Sequence, residues 1–360
     1  MCYNVITVSG YKEKSMSQKV TMYIIAEEVG MSIAAVSRAF DPHSCLKPEK
    51  RELILSTAKR LGYVQNKLAS RLSSDPIRIG VLIYGHVKAY YSILERGIKD
   101  TFKSYIDYKV DLDLRVFDRA EAPESEAVRV IDEFLKSGID GVIVSGISTG
   151  DGIAALNRMV DDGIALGLLG SDAAGCRRSF VSMNDTTTAG RLAAEFLSLT
   201  VKGAGRNVSL FIESRDTQGQ NEIVDAFLEN ADKLSLHVTD IFCTRNREGL
   251  AYEQMSQLLS RSALPDGVYC TTANSVPLCR AIEDFGAARK FPFIASDVFP
   301  ELDRYLDEQI VTATIYQDPI FQARRAFESM FLKLAEGKEP PEFIRAVPQL
   351  VLRSNRGLYL

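Results

Sequence analysis

From Ile77 onward, short apolar runs alternate with amphipathic stretches, and this alternation limits the fold more than any other feature of the chain. The runs are IRIGVLIY, VDLDLRVFD, GVIVSG, IALGLLG, RNVSLFIE, LHVTDIFC, DGVYCTT, FPFIASD and VTATIY. Their length and continuity fit strands of a parallel sheet covered on both faces. Between them, apolar residues recur at helical spacing over 92–104, 125–137, 152–161, 187–199, 220–230, 249–261, 275–285 and 319–336. Strand and helix in turn imply α/β units with right-handed crossovers. Nine strands are more than one sheet usually holds. Two parallel-sheet subdomains with a cleft between them are therefore expected.

Residues 20–64 have a different, all-helical texture. Thr21 caps a first helix over 22–29, and Gly30 stops it. Ser32 caps a second over 33–40, which Asp41-Pro42 ends. Pro48 opens a third helix over 49–61, with apolar Leu53, Ile54, Ala58 and Leu61 at spacings of three and four, and Gly62 closes it. Two short helices joined by a tight Gly-Met-Ser turn form a helix-turn-helix pattern, whose second helix fits the major groove of B-DNA. Residues 65–76, QNKLASRLSSDP, form a polar connector that carries Leu72 and ends at Pro76. Charge follows the same division. Residues 17–75 hold nine Lys/Arg against six Asp/Glu, whereas 76–360 hold 32 against 40. A basic head on an acidic body suits a chain whose head alone meets phosphates.

Several classes are disfavoured. No apolar run approaches the ~18 residues of a membrane helix, and MCYNVITVSGYKEKS does not read as an export signal. Residues 1–16 are read as an unstructured extension, with Met16 a candidate start. The six cysteines form no C-x-x-C pair and the three histidines are scattered, so neither a metal site nor a disulfide framework is expected. Reduced thiols and the missing signal place the chain in the cytoplasm. With no phosphate-binding loop, no dinucleotide fingerprint, no nucleophile elbow and few histidines, the reading is a non-enzyme without catalytic residues or cofactor.

Val20, Thr21, Ala26, Gly30, Ser32, Val36, Ser37 and Arg38, followed without a gap by Leu61, Gly62, Tyr63, Asn66, Ala69 and Leu72, resemble the opening of the lactose-repressor/galactose-repressor (LacI) family. The chain departs from that family's pattern at Ile24, Ala35, Asp41 and Gln65. The resemblance implies a regulator, a repressor, that binds double-stranded operator DNA as a homodimer and does not bind membranes. It places Thr21, Tyr23, Ser32, Ile33, Ala34, Ala35, Ser37 and Arg38 at the DNA. Where the family reads bases from the two positions after the cap serine, this chain has Ile33 and Ala34, which meet a thymine methyl but form no bidentate hydrogen bonds. Arg38 remains able to read guanine. Alternatively, Ile33 packs into the head's own core. The connector is either a solvated linker or, as the resemblance implies, a hinge helix. In the second case Asn66, Ala69 and Leu72 meet the minor groove and Leu72 wedges a base step open.

The rest of the chain resembles the sugar-binding-protein-like core of the same family. Its anchors are Ala273-Asn274-Ser275, Ser296-Asp297 and the stretch 312–319, ATIYQDP with its preceding Thr312. The fold implied is a small all-α helix-turn-helix head (17–64), a hinge (65–76) and an α/β periplasmic-binding-protein-like body (77–360) of two parallel-sheet subdomains. The N-subdomain is drawn at about 77–176 and 312–336, and the C-subdomain at about 177–311 and 337–360. A small sugar or polyol effector is expected between them, held by Asp172, Asn274, Asp297 and Gln317. Tyr90 and Tyr91 either stack on it or pack in the core. Arg215 is a candidate cation, although GQNEI stands where the family has Arg-x-x-Gly-Phe. The rival readings are a sugar-binding protein without regulatory role and a regulator of a non-sugar metabolite.

Overall fold

The computed structural model describes residues 20–40, 44–63, 75–85, 87–119, 121–202 and 205–359. The chain divides into two compact units, Met1–Ser74 and Asp75–Leu360. The hinge candidates Asn66, Ala69 and Leu72, and the extension 1–16, lie outside the described residues.

The first unit contains α1 (Met22–Glu28), α2 (Ile33–Ala39) and α3 (Pro48–Leu61). Both short helices begin at side-chain caps. Thr21 Oγ1 accepts from the Ile24 N–H at 3.5 Å, and Ser32 Oγ accepts from the Ala35 N–H at 3.2 Å. Such caps satisfy backbone donors that the first turn leaves unpaired. Ile25, Ala26, Val36, Ala39, Ile54 and Ala58 form the core. Leu53, read as part of the inner stripe of α3, is instead 48% exposed. It sits one residue, about 100°, round the helix from Ile54, and the stripe is narrower than its apolar residues. Ser32→Ala should remove about 1 kcal/mol from α2. Amide exchange in α2 would then run about fivefold faster, with α3 unchanged, and equal rates would sink this assignment.

The second unit is built from two six-stranded sheets. The strands are β1 (Ile77–Gly85), β2 (Val110–Asp118), β3 (Gly141–Ser145), β4 (Ala165–Leu169), β5 (Phe180–Asn184), β6 (Asn207–Ile212), β7 (His237–Cys243), β8 (Gly267–Cys270), β9 (Phe293–Ser296), β10 (Ala313–Tyr316), β11 (Phe343–Ala346) and β12 (Gln349–Val351). The first sheet has the order β11-β5-β4-β3-β1-β2 and is parallel throughout. The second has the order β12-β10-β9-β8-β6-β7 and is parallel except where β12 pairs with β10. The intervening helices are α4 (Lys88–Lys103), α5 (Glu124–Lys136), α6 (Gly150–Asp161), α7 (Thr186–Thr200), α8 (Gln218–Lys233), α9 (Glu248–Leu259), α10 (Val276–Asp284), α11 (Pro300–Asp307) and α12 (Pro319–Glu336). On β1, Ile79, Val81 and Ile83 pack into one core cluster, and Leu82 and Tyr84 into another. Alternate residues of one strand thus feed two apolar layers, which is why the run is apolar without interruption.

Three features correct the sequence reading. First, VDLDLRVFD and LHVTDIFC are the edge strands β2 and β7, with exposed or half-buried residues along most of their length. Their polar residues alternate with apolar ones because only part of each strand is covered. Second, β5, β11 and α11 have no counterpart among the expected runs and stretches. β5 reads FVSMN, where Ser182 and Asn184 break the apolar signal, and β11 has four residues. Third, the subdomain boundaries differ. β5 and β11 belong to the first sheet and β10 to the second, the reverse of the expected partition. The chain passes between the sheets three times, after β5, after β10 and after β11. An apolar run carries no mark of which sheet it will join.

Candidate functional site

In parallel sheets the loops after the strands gather at one end, where ligands of open α/β folds bind. Here the loops of both sheets enclose a cavity of ≈ 260 Å³. The first sheet contributes Arg119 after β2, Gly146 and Ser148 after β3, Ser171 and Asp172 after β4, and Asn184 at the end of β5. The second contributes Glu213 after β6, Thr271 and Thr272 after β8, Asp297 after β9 and Gln317 after β10. Tyr90 and Tyr91, in the first turn of α4, also line it.

Asp297 is 1% exposed and has φ +64°. Its carboxylate accepts from the Gln317 N–H at 2.9 Å and from Gln317 Nε2 at 3.0 Å. Burial, reinforced by the charge of Asp318 and opposed by the Gln317 hydrogen bonds, pushes its carboxyl up from 3.8 to about 7. From Gln317 a chain of hydrogen bonds crosses to the other sheet. Gln322 Nε2 donates to the Gln317 carbonyl at 2.7 Å, and Tyr90 Oη donates to Gln322 Oε1 at 3.2 Å. Ser182 Oγ of β5 donates to the Gln322 carbonyl at 2.8 Å. Gln322 itself is fully buried, so the middle of this chain is shielded from water.

The two tyrosines are joined edge to face, with ring centroids 5.4 Å apart. Both also pack against the core cluster of the first sheet. They therefore pack in the core, one of the two expected alternatives, and also line the cavity. Gly85 is required beneath them, since a Cβ there would lie 2.0 Å from the Tyr91 ring. Burial and then the charge of Glu213 raise the Tyr91 hydroxyl to about 12. Burial, foremost, also raises Glu213, and the nearby Arg119 partly counters it.

Five of the six expected ligand residues, Tyr90, Tyr91, Asp172, Asp297 and Gln317, line this one cavity. Asn274 does not. It is buried beside it, and its neighbour Ala273 lines the wall instead. Asp172 lines the cavity but is already bound, accepting from Arg178 Nη2 at 2.6 Å and Nε at 2.8 Å. Burial works against its charge, and the hydrogen bonds from Arg178 and the Ala173 N–H outweigh that, so its carboxyl sits below the usual value. Arg215 is not in the wall, being paired with Asp225 at 2.6 Å. Among the described residues Arg119 is the cationic side chain that lines the cavity. Sequence reading missed Arg119, Asn184, Glu213 and Asp216. Two of these, Arg119 and Glu213, stand at the C-terminal ends of the apolar runs that form β2 and β6, the same signal that pointed to Asp297.

In the head, Thr21, Tyr23, Ser32, Ile33, Ala34, Ser37 and Arg38 are exposed and Ala35 is half-buried. Ile33 is 48% exposed, so it does not pack into the head's core. Arg38 Nε donates to the Ala34 carbonyl at 3.2 Å.

Two mostly parallel sheets whose strand ends face one cavity, lined by both polar and apolar side chains, define a binding-protein-like α/β body. Residues 79–339 match the family model described as a periplasmic binding protein domain, and the chain belongs to that family. Catabolite control protein A of Staphylococcus epidermidis is 25% identical over 276 residues, covering 74% of this chain and 78% of the relative. Among solved structures, the chain is similar to GanP, a glucose-galactose binding protein from Geobacillus stearothermophilus. That match has a TM-score of 0.70 and 22% identity, and covers 78% of this chain and 99% of the other. It is also similar to a solute binding protein of an ABC transporter from Bacillus halodurans C-125 with bound myo-inositol. There the TM-score is 0.70 at 16% identity, and the match covers 80% and 98%. At these identities the two structures establish the fold. No helix among the described residues is long and apolar enough to cross a membrane.

Proposed function

We propose that this chain is a sequence-specific DNA-binding regulator, a repressor of the LacI family, whose operator affinity is set by a small sugar or polyol held in the cleft. The observation that carries the reading is the exposed face of α2. Ser32 caps the helix, and Ile33, Ala34, Ser37 and Arg38 stand exposed on it while the opposite side is buried through Val36 and Ala39. An exposed isoleucine in the first turn and an exposed arginine in the last suit contact with thymine methyls and guanine in the major groove. The similarity to a curated protein named for catabolite control supports a regulatory rather than a transport role. The polar cavity supports a small hydroxylated effector. It is smaller than the ~300–1,000 Å³ of sites for drug-sized ligands. On this reading the protein acts as a homodimer, since a two-fold operator needs two heads. Closure of the two sheets on the effector shifts the population between DNA-binding and released states.

The test is selection of binding sequences from a randomised duplex library with the full chain, followed by anisotropy titration at fixed salt. A consensus with two inverted half-sites is expected. Arg38→Ala should cost about 1–3 kcal/mol per half-site and relax the base preference at one position. Enrichment of no sequence would refute the regulator and favour a binding protein without regulatory role.

A further inference from the structure

The charges around the cavity are unequal. Asp172 is neutralised by Arg178, which leaves, among the described residues, Glu213, Asp216 and Asp297 on the wall against one cation, Arg119. Arg119 is itself engaged. Its guanidinium lies 5.0 Å from the centre of the Tyr84 ring and 3.8 Å from Glu124, and it offsets Glu213 in part. Of the amide donors on the wall, Gln317 spends its side-chain N–H on Asp297. One donor stands open. Asn184 is 4% exposed, lines the cavity, and its Nδ2 has no hydrogen-bond partner. A buried amide N–H without an acceptor is costly, so this position awaits an oxygen atom.

We infer that the cleft takes a polyhydroxylated ligand bearing an amine, and excludes phosphorylated ones: the ammonium faces the carboxylates of Glu213 and Asp216, and a hydroxyl oxygen accepts from Asn184 Nδ2. An ammonium offers three donors and no acceptor, which suits neighbouring carboxylates. A phosphate dianion meets more carboxylates than cations on this wall, and like charges repel. This inference rests on the small-effector reading above and narrows it to a charge class.

The experiment is a thermal-shift and calorimetric titration of the full chain with D-glucose, D-galactose and D-mannose. Each is set beside its 2-amino-2-deoxy and its 6-phosphate counterpart. In at least one set the amino sugar is expected to bind at least tenfold more tightly than its parent, with no shift from the phosphate. Glu213→Gln should bring amino and parent sugars to within about threefold of each other, and Asp216→Asn, at an exposed position, provides the same readout if the first variant unfolds. A phosphate that binds as well as its parent, or an amino sugar that binds no better, overturns the inference while the sugar effector stands. Silence from all nine compounds overturns the sugar effector and this inference together, and the selected DNA sequence still decides the regulator.

Discussion

Asp297→Asn is expected to weaken the best-bound sugar by about 10²–10⁴-fold. Hydrogen bonds to a buried charged acceptor contribute ~1.5–3 kcal/mol each, and a carboxylate that receives two sugar hydroxyls loses about twice that when it becomes an amide. Calorimetric titration reads the change directly, and affinity retained within threefold would remove Asp297 from the site. The same substitution changes stability in the opposite sense. Because the folded carboxyl titrates near 7 rather than 3.8, the folded state binds a proton more tightly than the unfolded chain. Its contribution to stability is complete below about pH 4 and is lost as pH rises through 7, at ~1.4 kcal/mol per unit of displacement. The neutral amide carries no such dependence. The melting temperature of Asp297→Asn, measured relative to the parent chain, should therefore rise between about pH 4 and pH 7 and level off above that. A constant difference across that range would mean that the burial of Asp297 has little influence on its charge.

Gly146→Ala should be the most destabilising single change in the cavity wall, by about 2–5 kcal/mol. Gly146 follows β3 with φ +87°, and a Cβ there would lie 1.6 Å from the Tyr84 carbonyl oxygen. The clash is with backbone, which no rotamer change relieves. Tyr84 closes β1 and donates from its hydroxyl to the Ala122 carbonyl at 3.0 Å, so movement there disturbs the floor under Arg119. Denaturant unfolding of the variant should show the midpoint falling at unchanged slope. Gly150→Ala is the control. Its added Cβ would meet nothing within 4 Å, and the midpoint should stay within about 0.5 kcal/mol of the parent. A Gly146→Ala midpoint equal to that of the control would show that the loop after β3 is free to move aside.

The local elements were legible in the residues themselves. Caps at Thr21 and Ser32, the proline that opens α3, and nine apolar runs specify helices and strands through contacts only a few residues apart. The polar residues that end those runs also pointed to Asp297 and Gln317, because a parallel strand delivers its last residue to the ligand end of the sheet. What the chain order could not carry is the pairing of distant segments. β5 and β11 meet as neighbours across more than 150 residues, and the three passages between sheets bring Tyr90, Gln322 and Asp297 into one hydrogen-bonded chain. The partners that consumed Asp172 and Arg215, and the absence of one for Asn184, were likewise settled only by tertiary contact. Capping and periodicity are short-range and are written in neighbouring residues. Whether a polar side chain is spent or free depends on what the fold brings to it from elsewhere in the chain.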